Sequence, residues 1–145
     1  MDSIENNQAG KSERKKRPEL LTFLCILTFI GSGLSAFAFF SVYISYDEFI
    51  SSVDELNLDF PELKMILTGG KRFFLTGFIL YTISLYGAIK MWNLKKMGFH
   101  FYVGAQVFLL LLPNAMISSY QFSVIGLLVT VAFIIAYATH LKFMN

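Results

Sequence analysis

Long apolar runs alternate with short polar segments along the whole chain. After a polar lead, MDSIENNQAGKSERKKRP, the first run extends from residue 20 to about 46. The second covers about 73–92, the third 98–117 and the fourth 122–143. A hydrocarbon core of ~30 Å needs about 20 helical residues to cross it, and each run is long enough. In lipid, only helices and closed barrels satisfy their own backbone, and runs this continuously apolar lack the alternation of barrel strands. The pattern predicts an all-α membrane protein, a four-transmembrane-helix bundle over residues 19–145. Pro113-Asn114 is expected to interrupt the third run, because proline removes a helical hydrogen bond. A cleaved signal peptide competes for the first run, since Ala36-Phe37-Ala38 has the A-x-A form. The apolar stretch continues well past that site, and cleavage would leave Phe-Phe-Ser-Val-Tyr-Ile as an exposed terminus, so a spanning helix is preferred.

One segment outside the spans has a period of its own. In residues 46–70, YDEFISSVDELNLDFPELKMILTGG, Phe49, Val53, Leu56, Phe60 and Leu63 recur at intervals of four and three. That is the spacing of an amphipathic helix. Asn57–Pro61 should divide it into two short pieces. Asp59 and Glu62 have capping-box spacing for the second piece, and Gly69-Gly70 supplies a stop. The remaining faces are acidic, which predicts either a lid over the bundle or a docking surface carried by Asp54, Glu55, Phe49 and Phe60. Calcium binding would need oxygen ligands clustered at fixed spacing, and these acids are scattered.

Charge adds an orientation. Only 15% of the residues are charged against 55% hydrophobic, and almost every charge falls in a few short clusters. Such segregation is what a bilayer imposes, since a charge at its centre costs roughly 2.5–3.5 kcal/mol. Lys90, Lys95 and Lys96 flank the turn between the second and third spans, and the polar lead ends in five basic residues, Lys11, Arg14, Lys15, Lys16 and Arg17. The loop after the first span carries Asp47, Glu48, Asp54, Glu55, Asp59 and Glu62 against Lys64. Basic residues in short loops stay cytoplasmic, so both termini and the lysine turn are expected inside and the acidic loop outside. Lys71 and Arg72, at the outer end of the second span, depart from the rule and are expected to be neutralised by the loop. Trp92, Phe99, Phe101 and Tyr102 should form an aromatic belt at the turn. Residues 1–18, with no apolar area to bury, read as a disordered basic cytoplasmic tail. A net charge of +2 with its cations beside membrane spans gives no reason to expect nucleic acid.

The inventory of candidate chemistry is short. Gln106, midway through the third span, is the only long polar side chain near mid-depth and is expected to hydrogen-bond a neighbouring helix. Thr28, Gly31, Ser32 and Ser35 on the first span, Gly77, Tyr81, Ser84 and Ala88 on the second, and Gly126, Thr130, Phe133, Tyr137 and His140 on the fourth form small or hydroxylated seams. Residues of this kind let helices approach closely in lipid. No Asp, Glu, Lys or Arg stands at mid-depth, which argues against an ion-coupled carrier or proton pump. His100 and His140 fall at similar depth on adjacent spans and are the weak candidates for a shared haem or metal, but a structural metal normally takes four ligands. Cys25, the single cysteine, lies in an apolar run and reads as packing. No Ser-His-acid set, phosphate-binding loop or paired carboxylate is present. The reading expects no catalytic activity, no cofactor and no metal.

The stretch Gly87-Ala-Ile-Lys-Met-Trp-Asn-Leu-Lys-Lys-Met-Gly-Phe-His-Phe-Tyr102 resembles a hairpin of small four-span bacterial membrane proteins. The resemblance implies a bacterial inner-membrane location and a short cytoplasmic turn, and it carries no activity. The expectation is a non-catalytic accessory subunit of a larger membrane complex, in contact with lipid and with other integral membrane proteins. A small lipid or hydrophobic-molecule binding or transport protein is the alternative.

Overall fold

The computed structural model describes residues 17–118 and 121–145. The tail expected over 1–18 therefore lies outside the described residues, apart from Arg17 and Pro18. Six α-helices follow in order: α1 (Glu19–Ile44), α2 (Tyr46–Glu55), α3 (Pro61–Leu67), α4 (Gly70–Trp92), α5 (Lys96–Met116) and α6 (Val124–His140). A 3₁₀ turn, Leu141–Phe143, continues α6. The helices α1, α4, α5 and α6 with its closing turn are long and apolar enough to cross a membrane. The first span ends at Ile44, slightly before the expected limit, and α2 restarts at Tyr46 after a break at Ser45. The second span begins earlier than expected, at Gly70, and takes Lys71 and Arg72 into its first turn.

Pro113 does not interrupt α5, contrary to the expectation. The helix runs through it to Met116, and the Ile117 amide closes onto the Pro113 carbonyl at 2.8 Å. Pro113 lacks the N–H that would bond the Leu109 carbonyl, and the helix keeps its course with that one bond missing.

Helix α4 is central and packs along both α1 and α5, while α6 touches α1 and α5 only lightly. The α4–α5 contact is closest near the lysine turn, where Gly87 faces Gly98. A Cβ on Gly87 would lie 2.7 Å from the Tyr102 nitrogen, and one on Gly98 would lie 2.6 Å from the Met91 nitrogen and overlap the Gly87 carbonyl oxygen. Backbone here meets backbone, which only glycine permits.

The turn itself is a Schellman motif. The Lys95 amide bonds the Lys90 carbonyl at 3.0 Å, the Leu94 amide bonds the Met91 carbonyl at 2.9 Å, and Leu94 takes the left-handed position at φ 58°. A leucine there is strained by about 1 kcal/mol or more. It is held by its own packing and by the chain terminus, because the Asn145 amide bonds the Leu94 carbonyl at 2.7 Å and the Lys96 amide bonds the Asn145 carbonyl at 2.9 Å. The same motif ends α2, with Asn57 at φ 47° and the Leu58 amide on the Val53 carbonyl at 3.4 Å.

Two apolar clusters hold the bundle. At the turn end, Leu21, Leu24, Cys25, Ala88, Met91, Tyr102, Tyr137 and Met144 pack together, which makes Cys25 a core residue. At the loop end, Phe73, Phe74, Leu112 and Ile117 pack with Phe39, Tyr46 and Met65 to Leu67 of α3. The Phe39 ring sits over Gly77, with Tyr81 at 5.2 Å and Phe74 at 5.5 Å between ring centroids.

Candidate functional site

At the turn end the aromatic residues divide. Tyr102 is buried against Tyr137, with ring centroids 5.0 Å apart, and so does not join the expected belt. Its place at i+4 from Gly98 turns it into the crossing. Trp92 packs on Phe29 at 5.7 Å and lies under the Arg17 guanidinium at 4.6 Å, while Phe101 stays exposed beside Tyr86. Lys90 lies over the Tyr86 ring at 5.0 Å.

His100 and His140 each turn to their own helix. The His100 Nδ1 is 3.3 Å from the Lys96 carbonyl, and the His140 Nδ1 is 2.7 Å from the Ala136 carbonyl. Among the described residues no group of three or more His, Cys, Asp or Glu side chains is arranged to hold a metal ion.

The acidic loop of residues 46–70 is only partly a lid. The expected stripe splits: Val53 is buried, Phe49 and Leu63 are half-buried, and Leu56 and Phe60 are 68% and 57% exposed. The break at Asn57 rotates the second piece, so the two halves no longer share a face. The covering role passes to Met65, Ile66 and Leu67, tied down by the Tyr46 hydroxyl donating to the Leu67 carbonyl at 3.0 Å. Asp59 does not cap α3. Phe60 holds the N-cap position with Pro61 at N1, and Asp59 instead pairs with Lys64 at 3.3 Å in full exposure, which is worth little. Lys71 lies over the Tyr43 ring at 5.1 Å rather than against the loop carboxylates. Asp54 and Glu55 are exposed.

At the midpoint of the helices the three seams face one another. The Thr28 and Tyr137 hydroxyls are 2.7 Å apart, Ser32 and Ser84 are 3.2 Å apart, and Gln106 donates through Nε2 to Ser84 Oγ at 3.1 Å. Gln106 thus bonds across α5 and α4 as part of a Ser32–Ser84–Gln106 chain. Beside this chain is a cavity of about 190 Å³ lined by Thr28, Gly31, Ser32, Ser35, Tyr81, Tyr102, Gln106, Thr130 and Phe133, with Leu27 and Val129 at its rim. Hydroxyls elsewhere on the long helices behave differently. Ser41, Thr76, Thr82 and Thr139 each donate to a carbonyl three or four residues back on their own helix. That is the ordinary way for a helix to satisfy a hydroxyl without water. Sequence spacing identified the seam residues singly. That they enclose a space instead of closing on it follows from the loose seating of α6, whose only buried residue among those described is Tyr137.

No protein-family model matches the chain, and comparison with curated proteins and with solved structures produced no match.

Proposed function

We propose that this chain is a non-catalytic integral membrane accessory subunit that associates with a larger membrane protein complex. The observation that carries this reading is the outer-loop surface. Leu56 and Phe60 stand exposed among the carboxylates of Asp54, Glu55, Asp59 and Glu62, all of them exposed. Apolar anchors inside a charged rim are the anatomy of a protein interface. Next to Phe60, a groove of about 640 Å³ passes Pro61, Glu62 and Met65 to Phe122, Val124 and Ile125 at the start of α6. The surface therefore continues from the loop onto the loosely packed fourth span. Its partner is an integral membrane protein with a basic outer face and an apolar recess for Phe60.

The orientation belongs to the same proposal. Lys90, Lys95, Lys96, Arg17 and Lys142 gather at one end of the bundle with Glu19, and the six loop carboxylates lie at the other end with Lys64, Lys71 and Arg72. By the basic-inside rule the turn and both termini are cytoplasmic. The hairpin resemblance supports a bacterial inner membrane. Reversing Asp54 and Glu55 to lysine tests the docking. Native purification should then recover less partner, and the salt sensitivity of the wild-type association should change, because like charges would meet at the interface. Unchanged recovery after both reversals would leave the loop as a cover alone.

A further inference from the structure

The cavity between α1, α4, α5 and α6 has properties that helix packing does not require. Its polar lining comes from the middle of each helix, so on the membrane reading it lies near the bilayer centre. Its exposed rim is Leu27 and Gly31 on α1 and Val129 on α6. Those two helices barely touch, and the mouth opens sideways between them, toward hydrocarbon rather than water. Two polar side chains on the lining keep groups open to the space without a protein partner among the described residues. Gln106 uses one amide N–H on Ser84, and its carbonyl oxygen has no partner among the described residues. Thr130 lines the cavity, and among the described residues its hydroxyl, unlike those of Thr76, Thr82 and Thr139, makes no hydrogen bond back to its own helix. In lipid an unpaired acceptor or donor is costly, so both groups call for a guest with complementary polarity.

We propose that this cavity binds the uncharged, hydrogen-bonding headgroup of a membrane-soluble amphiphile that enters sideways between α1 and α6. The lining holds no Asp, Glu, Lys, Arg or His, and a charged headgroup at this depth would go uncompensated. The space of about 190 Å³ is of the order of the ~150 Å³ cavity that admits benzene, so it takes one ring or a short hydroxyl- or carbonyl-bearing head. The apolar tail lies outside, along Leu27 and Val129. Gln106 accepts from the headgroup through its carbonyl oxygen, and the Thr130 hydroxyl donates to it or accepts from it.

Gly31 offers a clean way to test this. It lines the cavity, and a Cβ placed there meets nothing within 4 Å. Gly31→Leu therefore adds apolar bulk at the mouth, starting from a Cβ that meets no neighbour. The full chain in liposomes would be irradiated with a photoreactive diazirine analogue of octanol, and in parallel with the diazirine alkane of the same length. The alcohol should mark α1 and α6 peptides that line the cavity, in clear preference to the alkane. Gly31→Leu should abolish that preference. Thr130→Val, which keeps the side-chain shape, should lower labelling by the alcohol about threefold, the value of a weak interhelical hydrogen bond. Trp92 fluorescence reports whether each variant is folded, and Thr130→Val carries the test if Gly31→Leu fails to fold. Equal labelling by alcohol and alkane would mean that the cavity does not select a hydrogen-bonding headgroup, and would overturn the proposal. So would an alcohol preference that survives in both variants.

Discussion

Adding one methyl group at Gly98 tests the packing of α4 on α5 most directly. A Cβ there would stand 2.6 Å from the Met91 nitrogen and 2.7 Å from Lys90 Cβ, and would overlap the Gly87 carbonyl oxygen. Ordinary contact between such atoms begins near ~3.5 Å, so the helices must part by about 1 Å at their crossing. Two of the three obstacles are backbone atoms, which cannot rotate aside as a side chain can. The separation also loosens Met91 and Tyr102, both buried in the cluster at this end. Overpacking typically costs 1–3 kcal/mol, and a clash against backbone belongs at the upper end, about 3 kcal/mol. Gly104→Ala is the internal control, on the same helix with nothing within 4 Å of its Cβ. It should be neutral or mildly stabilising, as alanine is the better helix former by up to ~1 kcal/mol. Trp92 is the only tryptophan and lies beside the crossing, so its fluorescence follows unfolding of the purified chain in mixed micelles. If Gly98→Ala unfolds at the same denaturant concentration as Gly104→Ala, the close approach of these helices is wrong.

Three further outcomes are expected. A cysteine introduced at Ser52 should react with a membrane-impermeant maleimide in intact cells and one at Asn93 should not; Cys25 is fully buried and adds no background. Changing Lys90, Lys95 and Lys96 to glutamine should raise labelling at Asn93 by weakening the basic-inside signal, and labelling at Asn93 with the lysines present would reverse the orientation. Tyr137→Phe and Thr28→Val each remove the same 2.7 Å bond and should each cost about 0.6–2 kcal/mol in unfolding experiments. The double change should cost little more than either single one, and additive losses would show that the two hydroxyls are not partners.

The sequence made the four long helices legible because the physics behind them is one-dimensional. An apolar run of sufficient length and a cluster of charges at its end are properties of neighbours in the chain. Asn57 as a break and the crowding of small residues on α1, α4 and α6 were visible for the same reason. Pro113 misled because the loss of one helical hydrogen bond does not oblige a helix to end, and the residue type alone does not state which outcome holds. Tyr102 was assigned to an interface by its chemistry, but Gly98 one turn earlier brings α4 so close that its ring is enclosed. The candidate cavity was hidden for a different reason. Thr130 and Gln106 stand far apart in the chain, and only the seating of α6 decides whether their seams close. The pairing of Asn145 with Leu94 and Lys96 links positions with no shared pattern, so nothing in either stretch announced it.

The two glycine contacts of α4 differ in what sequence change they can survive. Phe39 fills the notch at Gly77 with a side chain, so a methyl group added at 77 can be accommodated by a smaller residue at 39. The contact is a pair that can drift together. Gly87 and Gly98 meet through main-chain atoms, and no second substitution can shrink a carbonyl or an amide. A change at either position has no compensating partner elsewhere in the chain. Descendants of this protein are therefore expected to exchange residues freely at 39 and 77 as a couple, while holding 87 and 98 as glycine for as long as the hairpin keeps its crossing.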